Sequence, residues 1–420
     1  MVPGPVDPYG REGLPLTKAR EQLLQAISPI NEPINVSLDQ ALGRVNAKSV
    51  EAITSIPGFR ASIMDGYALG QEHQPTVGSQ WIVQGRSAPG SPFRQALKAG
   101  EAVRILTGAP LPEGAGWVLP QEIVENNRNR LTLLREASDQ AWIRAEDEEC
   151  SAGDRLIDQG QRLTPSHLGL LASCGIATLK IHRQPRIGLL ISGDELIPAG
   201  KDRPSGAIWE SNGTLLAAIL SNINQVVHSH RIVPDQPETL RQVLRELSNE
   251  CDVVVSTGGI SAGDSDWIRA LVNELGQVSF WKLFLKPGRP FAFGHLHNKD
   301  SEVPFFGLPG NPVAAAVTAL QLLWPALQIM EGQQEPELFP RVKVTLANPL
   351  PRRPGRPELA RARLEVNHQG ELMARVSPSQ ASSRISSLLN ADLLLEIPAN
   401  KGRLETGDSL WAQLIRTRLF

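Results

Sequence analysis

The sequence predicts a multidomain α/β plus β protein. It has a central α/β domain built on a mostly parallel sheet, a β-rich inserted domain and a C-terminal β-barrel-like domain. Three observations carry this. At 420 residues the chain is too long for one ordinary core. From residue 185 to about 333 strand, loop and helix alternate, the rhythm of a parallel sheet with helices on both faces. On either side the pattern changes to short apolar runs broken by Gly and Pro, the mark of β structure.

The elements follow in chain order. Thr17 is placed to cap a first helix with Leu23, Leu24 and Ile27 on one face. Ser37-Leu38-Asp39-Gln40 has capping-box spacing and predicts a second short helix entering Ala41-Leu42. Between about 51 and 142, WIVQG, AVRILTG, GWVLPQEIV and RLTLL read as strands. A helix near Ser166–Ser173 and a strand come next. In the α/β stretch, strands are predicted at Ile187–Ile191, Val226–Val233, Val253–Val255 and Phe305–Gly307. Leu215 to Ile223, Pro237 to Leu247, Trp267 to Leu275 and Pro312 to about Leu327 carry apolar residues at helical spacing. After about 334 five strands are predicted, at Val342–Leu346, Arg363–Val366, Leu372–Val376, Leu393–Ile397 and Leu410–Ile415. The predicted division is domain I at 1–50 and 143–184, domain II at 51–142, domain III at 185–333 and domain IV at 334–420.

Composition removes several function classes. A formal net charge of −2 with no basic block argues against nucleic acid. No apolar run is read as long enough to span a bilayer, so no membrane partner is expected, and the N-terminus lacks the plan of a signal peptide. The three cysteines, Cys150, Cys174 and Cys251, have no metal-ligand spacing and read as idle thiols of a reducing cytoplasm. Two imidazole pairs, His228/His230 and His295/His297, would share strand faces, but neither has a third ligand in view.

The chemistry concentrates where the parallel strands end, since ligands of open α/β sheets sit outside those ends. Ser192-Gly193-Asp194-Glu195-Leu196 follows the first strand. STGGISAGDSD (256–266) follows the third, and Leu308-Pro309-Gly310-Asn311-Pro312 precedes the last helix. Their glycines, Gly193, Gly258, Gly259, Gly263 and Gly310, let backbone N–H groups approach an anion, with Ser192, Thr257 and Ser261 as hydroxyl partners. Asn311 and Pro312 form an N-cap and N1 pair that turns the positive end of a helix to the same place. With Lys286 of KPGRP this describes a phosphate site. Asp194, Glu195, Asp235 and Asp264 also fall near strand ends, and acids beside an anion call for a hard cation between them, of which Mg²⁺ is the natural one. Asp266 reads as the cap of the following helix; Asp264 is open to metal or substrate. No GxxxxGK[ST] and no strand-borne GxGxxG is present.

In order along the chain, SIMDGYAL (62–69), RILTGAPLPEGA (104–115) with Glu122, SGDEL, ESN (210–212), STGGISAGD, KPGRPFAFG (286–294), GLPGNPVAA (307–315) and SQASSRI (379–385) resemble the motifs of the molybdopterin molybdenumtransferase family, MoeA and the E domain of gephyrin. The resemblance spans nearly the whole chain. It implies an L-shaped homodimer of four-domain subunits that takes adenylylated molybdopterin and molybdate, inserts the metal at the dithiolene and releases AMP with Mg²⁺. Asp65 and Thr107 would then come from the partner side of a shared site, together with Glu195, Asp235 and Asp264 as catalytic residues. Lys286, Pro287 and Pro309 would line the pterin crevice, Asp194, Glu195 and Asp264 would hold the metal, and Lys286, Arg356, Arg361, Ser382 and Ser383 would hold molybdate. A molybdopterin adenylyltransferase, and molybdoenzyme or chaperone acceptors, are the further partners implied. Asp65-Gly66 also reads as a plain turn. Arg60 stands where the family often has an acidic or amide residue, Gly116 replaces an aspartate and Glu149 stands where an aspartate is usual, all three on the domain II side. The alternatives are a molybdopterin adenylyltransferase, which would need neither the DGYA/TGAP segment nor a C-terminal β domain, and a non-catalytic pterin-binding scaffold.

Overall fold

The computed structural model describes residues 13–259, 267–298 and 301–416. It divides into two compact units, Asn35–Ile181 on one hand and Met1–Ile34 with His182–Phe420 on the other.

The larger unit begins with α1 (Leu16–Ala26), which starts after Pro15; Thr17 lies inside its first turn and caps nothing. The α/β part contains β1 (Ile187–Ser192), α2 (Asn212–Asn222), β2 (Val227–Val233), α3 (Pro237–Glu250), β3 (Val253–Thr257), α4 (Trp267–Leu275), β4 (Gly276–Trp281), β5 (Ala292–His297), β6 (Glu302–Leu308) and α5 (Pro312–Met330). The sheet order is β2-β1-β3-β6-β5-β4. The first four strands pair in parallel; β5 adds antiparallel to β6, and β4 antiparallel to β5. The sheet is therefore parallel at its centre with an antiparallel flank that the sequence pattern does not announce. β3 is buried along its whole length, and its Val253-Val254-Val255 run is apolar because it is covered on both faces, Val253 and Val255 packing in one core cluster and Val254 in another. In α3, Leu240, Val243, Leu244 and Leu247 make the buried stripe.

α5 corrects the reading that no run is long and apolar enough to cross a bilayer. Its 19 residues pass by length and composition, yet 83% of the apolar window is buried within the protein. Its middle turn, Ala319–Leu323, is a π-helix, and Pro325 explains the disturbance. A proline offers no N–H to the carbonyl four residues back. That carbonyl, of Gln321, instead accepts from Arg20 Nε of α1 at 3.0 Å.

β7 (Arg341–Leu346), β8 (Glu358–Val366), β9 (Leu372–Val376), β10 (Leu393–Ile397) and β11 (Ser409–Leu414) close a barrel in the order β7-β9-β8-β10-β11. Inward side chains such as Ala360, Ala362, Ala374, Leu393 and Leu395 fill it.

The smaller unit holds a six-stranded sheet ordered Trp117–Pro120, Gly66–Leu69, Glu101–Ile105, Gln80–Ser87, Arg130–Leu133, Val124–Asn127. Helix Pro165–Ser173 is closed by a Thr164/His167 capping box. The box expected at Ser37 does not form. Residues Leu38–Gln40 make a single 3₁₀ turn, because the next donors leave the helix path, Gly43 N bonding to Leu163 O at 2.9 Å. All three cysteines are free and buried, and burial pushes Cys251 up to about 11. Among the described residues no group of three or more His, Cys, Asp or Glu is assembled for a metal, so neither histidine pair gains a third ligand.

Candidate active site

The strand-end loops are built level with one another. Ile191 pairs with Thr257, and Thr257 with Leu308, so β1, β3 and β6 finish side by side. Thr257 is 1% exposed, and its hydroxyl donates to Pro309 O at 2.9 Å. The Asn212 amide donates to Thr257 Oγ1 at 2.9 Å and to Gly310 O at 2.7 Å, tying three loops with one side chain. Asn212 was visible only as part of the ESN motif; its clamp role had no signal in sequence spacing. Asp194 Oδ1 accepts from Asp235 N at 3.0 Å and couples the first two strand ends.

These loops open a crevice of about 970 Å³. Ser192, Glu195, Asp235, Gly258, Gly259, Lys286, Pro287, Pro309, Gly310, Asn311, Arg356, Ser382 and Ser383 all line it, as do Arg289 and Gln380, which the sequence reading passed over. Among the described residues the buried Ser192 Oγ has no hydrogen-bond partner. Gly258, at φ +95, leaves no room for a side chain there, since a Cβ would stand 2.4 Å from Ser192 O. A buried hydroxyl beneath a glycine turn offers a donor where backbone amides can also approach an anion. Asn311 sits at the N-cap position of α5, but its amide makes no cap bond. Gly193, Asp194 and Thr257 support the floor from behind rather than line it. Ser261, Gly263, Asp264 and Asp266 lie outside the described residues.

The barrel completes the opposite wall. Lys286 N donates to Pro357 O at 2.9 Å and Leu359 N to Lys286 O at 2.8 Å, so the KPGRP loop is stitched to the start of β8. Lys286 Nζ stands 3.0 Å from Glu358 Oε1, and Arg352 Nε 3.3 Å from Oε2, with the Glu358 side chain only 2% exposed. Arg356 Nη1 donates to Leu285 O at 2.9 Å. Burial first, and the charge of Arg289 second, pull the Arg356 guanidinium below the usual arginine range. Ser382 O accepts from Val313 N at 3.1 Å, anchoring the SQASSRI turn to the start of α5. Arg361 is wholly buried behind this wall, bonded to Ser387 Oγ and Ala381 O at 3.2 Å each, and its Nη1 has no partner among the described residues.

In the smaller unit Asp65 and Thr107 meet. Asp65 Oδ1 accepts from the amide and the hydroxyl of Thr107, both at 2.8 Å. The Thr107 amide, then its hydroxyl, then the charge of Arg104 hold this exposed carboxyl below the usual carboxylate range. Arg104 lies over the Tyr67 ring at 5.1 Å. Gly116 has a steric reason for being glycine: a Cβ would meet Gln71 O at 2.5 Å. Arg60 is exposed, and Glu149 borders a surface pocket beside Cys150.

Three family descriptions match successive parts of the chain: the MoeA N-terminal region (domain I and II) at residues 14–175, the probable molybdopterin binding domain at 188–329 and the MoeA C-terminal region (domain IV) at 343–414. The molybdopterin molybdenumtransferase of Haemophilus influenzae is 33% identical over 94% of this chain and 97% of its own. Gephyrin of Dictyostelium discoideum is 29% identical over 96% of this chain and 62% of that protein. The crystal structure of a molybdopterin biosynthesis moeA protein from Pyrococcus horikoshii superposes with a TM-score of 0.80 at 27% identity, covering 96% of this chain and 99% of that one.

Proposed function

Since the chain belongs to the molybdopterin molybdenumtransferase family, we propose that its crevice takes adenylylated molybdopterin with molybdate, forms the metal–dithiolene centre and releases AMP. The protein is a transferase of molybdenum cofactor biosynthesis with molybdopterin as its substrate class. The observation that carries the proposed reaction is the meeting of three strand-end loops with Lys286, Arg356 and the Ser382-Ser383 turn around one crevice.

Opening a phosphoanhydride asks for positioning and charge neutralisation more than for a covalent intermediate. The Ser192 hydroxyl, the Gly258 and Gly259 amides and the N-terminus of α5 bind and orient the phosphates. Lys286 and Arg356 balance their charge, and the hydroxyls of Ser382 and Ser383 hold the molybdate dianion. Arg361, buried behind that turn, supports it from below. The donor chemistry fits Mg²⁺ shared with substrate: Glu195 and Asp235 line the crevice, and Mg²⁺ commonly takes one or two carboxylates plus phosphates and water. When bound, it supplies charge neutralisation between acids and phosphates. Asp65 and Thr107 act from the partner subunit of a homodimer, across the proposed division into domains I to IV. The substrate comes from a molybdopterin adenylyltransferase and the product goes to a chaperone or molybdoenzyme in the cytoplasm.

The test is purified protein with adenylylated molybdopterin, molybdate and Mg²⁺. AMP release with formation of active cofactor is expected; tight pterin binding without AMP release would overturn the reading.

A further inference from the structure

The outer face of the barrel carries a second concentration of positive charge that the crevice does not use. Along β8 the side chains alternate. Ala360, Ala362 and Leu364 enter the barrel core, which turns Arg361, Arg363 and Glu365 to the outside. Arg375 of β9 pairs directly opposite Arg363. Like charges facing each other across a strand pair destabilise it unless something lies between them. Glu365 answers only one of the two, its Oε1 standing 2.7 Å from Arg375 Nε.

A third guanidinium, Arg384, arrives from the turn that follows Ser377. Arg363, Arg375 and Arg384 line one pocket of about 510 Å³ with Ser377, Ser379 and Asn390, and no carboxylate lines it. No hydrogen bond engages the guanidinium of Arg363 or Arg384 among the described residues. The Glu365 carboxyl is held below the usual carboxylate range by its bond to Arg375 and then by the charges of Arg375 and Arg363.

The pocket also backs onto the proposed molybdate side of the molecule. Segment 377–388 lies over Arg361 and separates two faces. Ser382 and Ser383 face the crevice, whereas Ser379, Ser386 and Ser387 face the outer pocket. Ser387 Oγ accepts from Arg361 Nε at 3.2 Å, so one hydroxyl touches both sides. Arg361 Nη1, buried and without a partner among the described residues, is a further donor within this wall.

We propose that the Arg363/Arg375/Arg384 pocket is a second anion site, binding a tetrahedral oxyanion dianion. Three guanidiniums against the single Glu365 carboxylate leave an excess that a dianion satisfies. Planar forks with flanking hydroxyls match tetrahedral oxygens, whereas a halide offers no such geometry. The same chemistry is presented by a free oxyanion and by the phosphate of a nucleotide. This site does not depend on the reading of the crevice.

The test is equilibrium dialysis of the full chain against molybdate, sulfate and AMP in turn, with chloride as competitor. Wild-type protein is expected to show a site for molybdate or sulfate that survives Lys286→Ala, a substitution in the crevice. In Arg363→Gln/Arg384→Gln that site weakens by at least about tenfold, as expected for lost charge-assisted hydrogen bonds. An unchanged melting temperature shows that the fold is kept, and for the Lys286→Ala protein alone the melting temperature should rise with sulfate. A site that takes AMP but neither free ion supports the phosphate-ester form. Equal binding by wild type and the double variant, or no binding left after Lys286→Ala, overturns the proposal.

Discussion

Two carboxylates, one in each unit, are fixed by opposite means. Asp65 is exposed and held by neutral donors, the amide and hydroxyl of Thr107. Glu358 is 2% exposed and held between cations, Lys286 and Arg352. Neutral donors fix a carboxylate without discharging it, so Asp65 keeps its charge and an open side for a ligand. Two cations around a buried carboxylate consume it as an acceptor and leave it a joint. The same functional group is thereby left exposed in one place and enclosed as a joint in the other.

The largest effect should come from breaking the joint. Glu358→Gln leaves Arg352, itself 4% exposed, as a buried charge without a counterion. Breaking such a pair costs about 3–5 kcal/mol, read as a lowered midpoint in urea denaturation. A loss under about 1 kcal/mol would mean that the joint holds nothing. Asp65→Asn should do the reverse: AMP release falls by about 100-fold, in the range of general acid–base contributions, while the melting curve stays put. A parallel fall in stability would erase the contrast between the two carboxylates.

A smaller effect is expected from Asn212→Ala, which frees Thr257 and Gly310 from their shared donor. About 1–2 kcal/mol of stability should go, with a raised KM for the pterin substrate. The smallest is a titration. The folded Asp65 carboxyl lies below its unfolded value, so its contribution to stability is complete above about pH 4 and is lost as pH falls through the folded value. Thr107→Val removes the hydroxyl bond but keeps the amide, so the carboxyl should titrate nearer its ordinary range by NMR. No movement would assign the whole depression to the backbone amide and Arg104.

Much of the α/β domain was legible because its signals are local and redundant. Pro237 begins a helix whose apolar residues recur at three and four, and Val253-Val254-Val255 is apolar on both faces. What escaped depended on partners distant in sequence. β4 and β5 carry no alternation distinctive enough to mark an antiparallel flank. Ser37 has the right spacing for a cap, but the chain after Gln40 finds better hydrogen bonds elsewhere. Of the candidate site, the lining residues were readable as motifs, whereas Arg361 looked like a ligand and proves to be enclosed.

The sequence by itself determined which residue types could meet an anion. Glycine turns after apolar strands, a Pro-started helix, and lysine and arginines in ordered motifs are statements about short-range chemistry. Tertiary structure alone decided which of those groups are spent and which are open. The Lys286–Glu358 contact joins positions 72 residues apart, and Arg363 faces Arg375 only because β8 and β9 pair in that register. Charge and conformation are properties of a residue, but burial and register belong to the packed chain. That is why the letters of STGGISAGDSD carry only the expectation of an anion turn, whereas the Ser192 hydroxyl beside Gly258, without a partner among the described residues, could only be found in three dimensions.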